Sequence, residues 1–183
     1  MENPYKRKKE PELNKQVILD AAAEIGATAD WHQVTFQAIA DKTGLSKGGI
    51  IHHFRNKEEL LDELVRQSLA ELTEWIQEEK KSTKKESSSM LYLSFVVKKS
   101  DDKHYQRVMK IIMQAMLIND QYRKGWDEWF SSHIDADIKG DANLNNLIIA
   151  LVADGLWYSG NLGIYNISKS KKQQIIEKLQ HLQ

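Results

Sequence analysis

Residues 35–60 read TFQAIADKTGLSKGGIIHHFRNKEEL and contain two short helical patterns that meet at Gly44. Thr35 and Ser46 precede these patterns, and both residue types are favoured at the N-cap of a helix. Gly44 suits a tight turn between the helices, because glycine adopts backbone conformations that a residue with a Cβ avoids. The segment therefore predicts a helix–turn–helix, although an ordinary pair of short core helices would share this pattern.

Two consecutive glycines, Gly48 and Gly49, follow Ser46 within the second short helix. Each glycine inside a helix costs about 1 kcal/mol relative to alanine. A helix that enters a major groove about 12 Å wide must carry small residues or polar side chains at its N-terminal end. The glycines therefore predict close approach of the backbone to a partner, and DNA is the obvious candidate.

The rest of the chain also has a helical pattern. Both prolines, Pro4 and Pro11, lie near the N-terminus, and no pair of alternating strand patterns joined by a hairpin turn occurs. Gly26 is expected to end the first helix, and Asn56 with Glu59 to cap a long fourth one. The predicted fold is all-α, with nine helices at 13–25, 35–43, 46–54, 56–80, 90–99, 104–119, 120–138, 142–164 and 169–182.

Composition narrows the functional classes. The 183 residues include no cysteine, which excludes thiol catalysis and cysteine-ligated metals. Lys and Arg balance Asp and Glu at 26 each, which disfavours a polycation that coats nucleic acid. The charge is uneven, since residues 1–57 carry nine Lys and Arg against seven Asp and Glu. No apolar run is long enough for a secretory signal or a membrane span, so we expect a cytoplasmic protein without a membrane partner.

No catalytic or metal motif stands out. Ser, His and Asp occur, but without a nucleophile elbow, a phosphate-binding glycine loop or a His-Glu-x-x-His motif, so an enzyme is not expected unless a triad has arisen by convergence. His52 and His53 are adjacent and would point in different directions on a helix, which disfavours a metal pair. The Asp-rich segment 133–146 has calcium-loop spacing, but Lys139 stands at a ligand position and Asn146 replaces the final Glu. We therefore predict neither a metal nor a cofactor.

Residues 15–61 resemble the DNA-binding segment of the TetR family of bacterial one-component repressors. The similarity rests on Thr-x-x-x-Ile-Ala, Gly-Leu-Ser-Lys-Gly, His-His-Phe and Asn-Lys-Glu-Glu-Leu, which begin here at Thr35, Gly44, His52 and Asn56. The resemblance implies a three-helix DNA-binding domain at 13–56, after a basic arm at 1–12. A helical ligand-binding and dimerisation domain would follow at 57–183.

The resemblance also implies which side chains meet DNA. One group would contact phosphates or base edges from the two short helices and the start of the fourth helix: Thr35, Ser46, Lys47, Gly48, Gly49, Ile51, His52, His53 and Lys57. Ile51 stands where the family usually has a tyrosine, so one backbone contact would be missing. The basic run Lys6–Lys9 is either an arm that binds DNA or a solvated tail.

The C-terminal half is rich in aromatic and methionine side chains, a composition that suits either a core or an apolar ligand cavity. The resemblance favours a cavity for a small hydrophobic or amphipathic effector. The candidate ligand-binding residues are Trp75, Tyr92, Phe95, Met113, Met116, Trp126, Trp129 and Phe130.

The last two helices carry apolar faces that predict either a dimer interface or an intramolecular core. The candidate interface residues are Leu147, Leu151, Leu156, Ser159, Ile175 and Leu179. The resemblance as a whole implies a homodimeric repressor that binds a palindromic operator, is released by its effector, and controls an efflux or detoxification gene. The alternative is a helical ligand-binding or adaptor protein whose DNA binding is impaired, which Ile51 and the neutral charge would suit.

Overall fold

A computed structural model describes residues 11–29, 31–82, 86–134 and 144–181. This part of the chain is all-α, with nine α-helices and one short 3-10 helix at Trp31–Gln33. The helices are α1 Pro11–Thr28, α2 Phe36–Thr43, α3 Lys47–His53, α4 Lys57–Ser82, α5 Ser88–Lys99, α6 Lys103–Ile118, α7 Asp120–His133, α8 Leu144–Leu162 and α9 Lys169–Gln180. The basic run Lys6–Lys9 and most of the Asp-rich segment 133–146 lie outside the described residues.

Most of the predicted helix starts are set by local caps. Asn56 accepts the backbone N–H of Glu59 at 2.8 Å, and the Glu59 carboxylate accepts the N–H of Arg55, also at 2.8 Å. Ser168 caps α9 through the N–H of Lys171. Each of these side chains satisfies a backbone donor that has no partner within the helix.

The predicted end of the first helix was wrong. α1 continues through Gly26, which is buried, to Thr28, whose hydroxyl donates to the carbonyl of Glu24 at 2.8 Å. The buried face of α1 includes Ile18, Leu19 and Ala22, whereas Leu13 near the start of the helix is exposed. Gly26 is therefore a buried residue within α1 and does not end the helix.

The chain divides into two compact units, Met1–Glu63 and Leu64–Gln183, with the division inside α4. In the amino-terminal unit, α1 packs against α2 and α3 around Ile18, Leu19, Ile39 and Ile50, which are fully buried. This core fixes the two short helices of the predicted helix–turn–helix.

In the carboxy-terminal unit, α5 is the central helix. Eight of its residues, among them Tyr92 and Phe95, are buried, and it packs mainly against α8. α6 adds a further apolar face that includes Met109 and Ile112. No helix in the described ranges is long and apolar enough to cross a bilayer.

Candidate nucleic-acid interface and effector region

α2 is positioned by Thr35, whose side-chain oxygen accepts the backbone N–H of Ala38 at 3.0 Å. Thr35 is itself exposed. The cap uses a lone pair of the hydroxyl oxygen, so the O–H can still donate to an acceptor such as a phosphate oxygen. The helix N-terminus adds a partial positive charge at the same place.

The turn between α2 and α3 depends on Gly44. Its φ of 71° and ψ of 9° lie in the left-handed region, which residues with a Cβ rarely adopt. Its N–H donates to the carbonyl of Ala40 at 2.9 Å, and the Thr43 hydroxyl accepts the N–H of Leu45 at 3.2 Å. The turn therefore closes α2 and directs the chain into α3.

α3 has one buried anchor and an exposed side. Ile50 is fully buried, and Ser46 caps the helix by accepting the N–H of Gly49 at 3.1 Å. The exposed residues of the segment are Ser46, Lys47, Gly48, Gly49, Ile51 and His52. The hydrophobic side chain of Ile51 is 46 % exposed, although a residue of this type would ordinarily be buried.

His53 and Lys57 are half-buried at the end of α3 and the start of α4. His53 borders a surface groove together with Asn14, Ser46 and Gly49, and its ring meets that of His52 edge-on at 5.8 Å. The Lys57 ammonium lies 5.0 Å from the ring centroid of Trp31, so a cation–π contact orients this lysine. Asn14 was not among the predicted residues, because nothing in the sequence of α1 marks it.

The predicted effector residues fall into two aromatic groups within the carboxy-terminal unit. Trp75 meets Phe95 at 5.4 Å in the first group. In the second, Tyr92 meets Trp129 at 6.5 Å and Phe130 at 6.4 Å, and Trp126 meets Trp129 at 5.9 Å. Of the two methionines on α6, Met113 is buried and Met116 half-buried.

The second group extends onto α8 through residues that the sequence did not single out. Trp157 stacks on Trp126 at 5.5 Å with an interplanar angle of 15°, and Tyr158 meets Trp157 at 4.7 Å. The Tyr92 hydroxyl donates a hydrogen bond of 2.7 Å to the Asp154 carboxylate. The signal that could have identified Asp154 is its position in the otherwise apolar sequence of residues 147–157.

Burial is the largest influence on the pKa values of Asp154, Tyr92 and Tyr158 in the second aromatic group. It raises the pKa of Asp154, and the hydrogen bond from Tyr92 opposes that rise. Burial, and then the charge of Asp154, raise the pKa of Tyr92 well above its ordinary value. The same two causes, in the same order, raise the pKa of Tyr158. Tyr92 is therefore a hydrogen-bond donor throughout the physiological pH range.

The residues predicted for the dimer interface differ in how far they are exposed in the single chain. Leu147 and Leu151 are 38 % and 60 % exposed, whereas Leu156, Ser159 and Leu179 are buried. Ile175 is half-buried. α8 also exposes Leu144, Ile148 and Leu162, so the chain has an apolar stripe along this helix.

Comparisons with known proteins agree with this architecture. Residues 18–64 match the family described as bacterial regulatory proteins, tetR family, and residues 87–183 match the tetracyclin repressor-like C-terminal domain. The chain therefore belongs to the TetR family of transcriptional regulators, with a DNA-binding N-terminal domain and a ligand-binding C-terminal domain, and it is not an enzyme.

Individual relatives are distant. The HTH-type transcriptional regulator BetI of Vibrio campbellii is 26 % identical, over 91 % of this chain and 89 % of its own. The HTH-type transcriptional repressor AcnR of Corynebacterium efficiens is 34 % identical, over 37 % of this chain and 36 % of its own. A transcriptional regulator from Saccharomonospora viridis, solved in complex with choline, has the same fold, with a TM-score of 0.70 and 16 % identity over 91 % of this chain and 95 % of that one.

Proposed function

We propose that this regulator is a homodimeric repressor that binds a roughly palindromic operator and is released by a small molecule bound in its carboxy-terminal unit. The observation that carries the proposal is the exposed side of α3, where Lys47, Gly48, Ile51 and His52 stand on a helix anchored by the buried Ile50. A short capped helix of this kind fits a major groove with its N-terminal end towards the bases.

The residues divide into two roles in this proposal. Lys47, Gly48, Gly49, Ile51 and His52 lie against base edges, and Ile51 has the apolar surface that suits a thymine methyl group. Phosphates are held from both sides of the helix by hydroxyl, imidazole and ammonium groups. The phosphate contacts are Thr35, Ser46, His53 and Lys57.

A second copy of the chain covers the apolar stripe of α8. Six large apolar residues are exposed there at helical spacing, and contiguous exposure of this kind is typical of an interaction surface. They are Leu144, Leu147, Ile148, Leu151, Tyr158 and Leu162. Pairing this stripe across a two-fold axis gives a dimer with two copies of α3, one for each half of a palindromic operator.

The effector binds among the aromatic side chains of the carboxy-terminal unit. Tyr92, Trp126, Trp129 and Phe130 adjoin one another, and such rings suit a hydrophobic or amphipathic ligand. Trp75, Phe95, Met113 and Met116 complete the proposed lining. The effector favours a state in which the two α3 helices no longer match the half-site spacing, and DNA is therefore released.

The dimer and the operator are tested together. Light scattering with size-exclusion chromatography should give twice the mass of the chain, and Leu151→Asp on the exposed stripe should give the monomer. Leu13→Asp, at an exposed leucine of α1, is the matched control and should remain a dimer.

With a DNA fragment selected by the protein, the dimer should bind a two-half-site duplex far more tightly than a single half-site. A monomeric wild type, or equal affinity for both duplexes, would refute the dimeric repressor.

A further inference from the structure

The loop that connects α8 to α9 has an unusual backbone; we call residues 163–167 the Tyr165 loop. Gly163, Tyr165 and Asn166 have φ values of 68°, 66° and 41°, all in the left-handed region. Glycine and asparagine tolerate this region, but in tyrosine it brings the Cβ too close to the backbone. Strained residues of this kind persist where further contacts over-determine them, and they concentrate at functional positions.

The strain at Tyr165 is not offset by packing within its own chain. The side chain of Tyr165 is 83 % exposed, and the adjacent Ile164 is exposed as well. A large side chain stabilises a costly backbone conformation only when it is buried against other groups. The single chain does not supply that burial, which points to the surface of a partner.

The Tyr165 loop continues the apolar stripe of α8. Eight of the twelve large hydrophobic residues exposed in the described ranges fall between positions 144 and 165. A stable interface has about 20–30 residues on each side, more than one face of the 19-residue α8 supplies. An interface on this stripe therefore extends beyond α8, and the Tyr165 loop is the exposed apolar surface at the carboxyl end of the helix.

A surface groove of about 370 Å³ lies beside the Tyr165 loop. Leu156 lines it with a buried apolar side chain, and Ser100, Gln106 and Lys172 line it with polar groups. Gly160 also borders the groove, and a Cβ there would have nothing within 4 Å. The combination suits tyrosine, whose ring is apolar and whose hydroxyl needs a hydrogen-bond partner when it is buried.

The exposed tyrosine and the groove are neighbours on the same chain, because Ile164 and Asn166 line the groove and flank Tyr165. A two-fold dimer requires such a pair of features. If a residue of one copy enters a groove of the other, the reverse contact forms as well, so each chain must carry both parts. A second copy of the chain is therefore the occupant whose shape the groove already specifies.

We propose that, in the homodimer, the Tyr165 side chain of each copy enters the groove beside the Tyr165 loop of its partner, with the ring against Leu156 and the hydroxyl among the polar side chains. This inference rests on the proposed function, whose dimer interface it extends to a tyrosine beyond α8. A tyrosine buried in a pocket at an interface is a typical hot spot, so this contact carries a large share of the dimer affinity.

Tyr165→Asn tests the tyrosine, since asparagine tolerates the left-handed backbone and lacks the ring. Analytical ultracentrifugation should show a dimer dissociation constant raised by about tenfold or more. Tyr165→Phe keeps the ring and should retain most of the affinity. Leu117→Asn, at a leucine of α6 that is 79 % exposed, is the matched control and should leave the dissociation constant unchanged. An unchanged constant in Tyr165→Asn would overturn the proposal.

Gly160→Leu tests the groove by filling it. A Cβ at residue 160 meets nothing within the chain, so the variant should fold, as circular dichroism can verify, but it should dimerise less tightly. Gly125→Leu is the control on α7, where a Cβ likewise has nothing within 4 Å, and it should dimerise as the wild type does. Wild-type dimer affinity in folded Gly160→Leu would overturn the groove as the binding site of the tyrosine.

Cross-linking locates the contact without depending on affinity, because the chain has no cysteine. Tyr165→Cys and Gln106→Cys proteins, mixed and treated with a short bis-maleimide, should give more cross-linked dimer than either protein alone. A mixture of Tyr165→Cys with Leu117→Cys should give no such excess. The absence of an excess in the first mixture would overturn the proposal.

The same variants separate this inference from the proposed function. A dimer that Leu151→Asp dissociates, but that Tyr165→Asn and Gly160→Leu leave intact, would overturn the Tyr165 contact and leave the dimeric repressor standing. A dimer that Tyr165→Asn weakens, but that binds no specific DNA, would contradict the repressor and leave the Tyr165 contact standing. A monomeric wild type would overturn both.

Discussion

The backbone N–H of Gly49 donates to the Ser46 side-chain oxygen at 3.1 Å, and a Cβ at residue 49 would stand 3.2 Å from that same oxygen. Glycine at position 49 therefore leaves room for the cap of α3. At Gly48, by contrast, a Cβ would have nothing within 4 Å. No contact among the described residues requires glycine at position 48, and close approach of DNA is the reason that we propose for it.

Gly48→Ala should separate stability from DNA binding. Alanine is a better helix former than glycine by about 1 kcal/mol, so urea unfolding should show equal or greater stability, by up to about that amount. The added methyl group lies on the exposed side of α3, so affinity for the selected DNA should fall several-fold in fluorescence anisotropy.

The matched variant is Gly49→Ala, in which the new methyl group presses on the Ser46 cap. It should gain less stability than Gly48→Ala, because the cap must move by a few tenths of an ångström. A Gly48→Ala protein that binds DNA as tightly as the wild type would show that this glycine does not face DNA.

Lys57→Ala tests the phosphate role of the lysine held over Trp31. Because a phosphate contact carries no sequence information, affinity should fall for selected and unrelated DNA alike. The slope of log K against log salt concentration should become shallower by about one unit, since one counterion fewer is released. Lys57→Arg keeps the charge and should retain the wild-type slope. A slope unchanged in Lys57→Ala would place Lys57 away from the backbone.

Asp102 caps α6 by accepting the N–H groups of His104 at 2.9 Å and Tyr105 at 3.1 Å. Burial acts to raise the pKa of Asp102, but the Tyr105 N–H, the Lys99 ammonium and the His104 N–H outweigh it and hold the pKa below its ordinary value. The carboxylate therefore contributes stability that is present above its unfolded pKa of about 3.9. That contribution is lost as the pH falls through the lower folded pKa.

Asp102→Ala should accordingly cost about 1 kcal/mol of unfolding free energy at neutral pH, the usual value of an N-cap. Asp102→Asn keeps a capping oxygen without the charge and should cost less. In urea titrations, the difference between wild type and Asp102→Asn should shrink as the pH is lowered below about 4. A difference that grows on acidification would contradict the assigned charge.

Tyr92→Phe removes the hydroxyl that donates a hydrogen bond to the part-buried carboxylate of Asp154. The expected cost is about 1–3 kcal/mol, the range for an unsatisfied buried polar group. Urea unfolding followed by tryptophan fluorescence measures it, because four of the five tryptophans lie in the carboxy-terminal unit. In the double variant with Asp154→Asn the cost should be smaller, since a neutral amide tolerates the loss better. Equal costs in both backgrounds would mean that the pair is not coupled.

Much of the fold could be predicted because its determinants are local. Thr35, Gly44, Ser46 and Asn56 act within four residues of themselves through caps and one left-handed turn, and the structure has each of them as the sequence suggests. Gly26 has the same chemistry, but buried packing of α1 continues the helix through it. The local sequence pattern cannot distinguish a glycine that ends a helix from a buried glycine inside one.

The aromatic region that we propose for the effector was predicted less completely, because its geometry depends on contacts between distant helices. Tyr92 and Asp154 are 62 positions apart in the sequence, and the sequence around either residue does not indicate that the other is its hydrogen-bond partner. Aromatic composition identified Trp126 and Trp129, but Trp157 joins them through stacking that only the packing of α7 on α8 creates. The burial of Leu156 and Leu179 within a single chain could not be predicted either, because their helical pattern is typical of a core and of an interface alike.

We propose that α3 reads a specific DNA sequence. Fluorescence anisotropy with genomic fragments enriched by the protein, against shuffled fragments of equal length, tests it across a range of salt concentrations. We expect the enriched fragments to retain tighter binding at physiological salt, and we expect Lys47→Ala and His52→Ala to reduce this preference more than Lys57→Ala does. If no fragment is preferred over its shuffled counterpart at any salt concentration, α3 does not read a specific sequence.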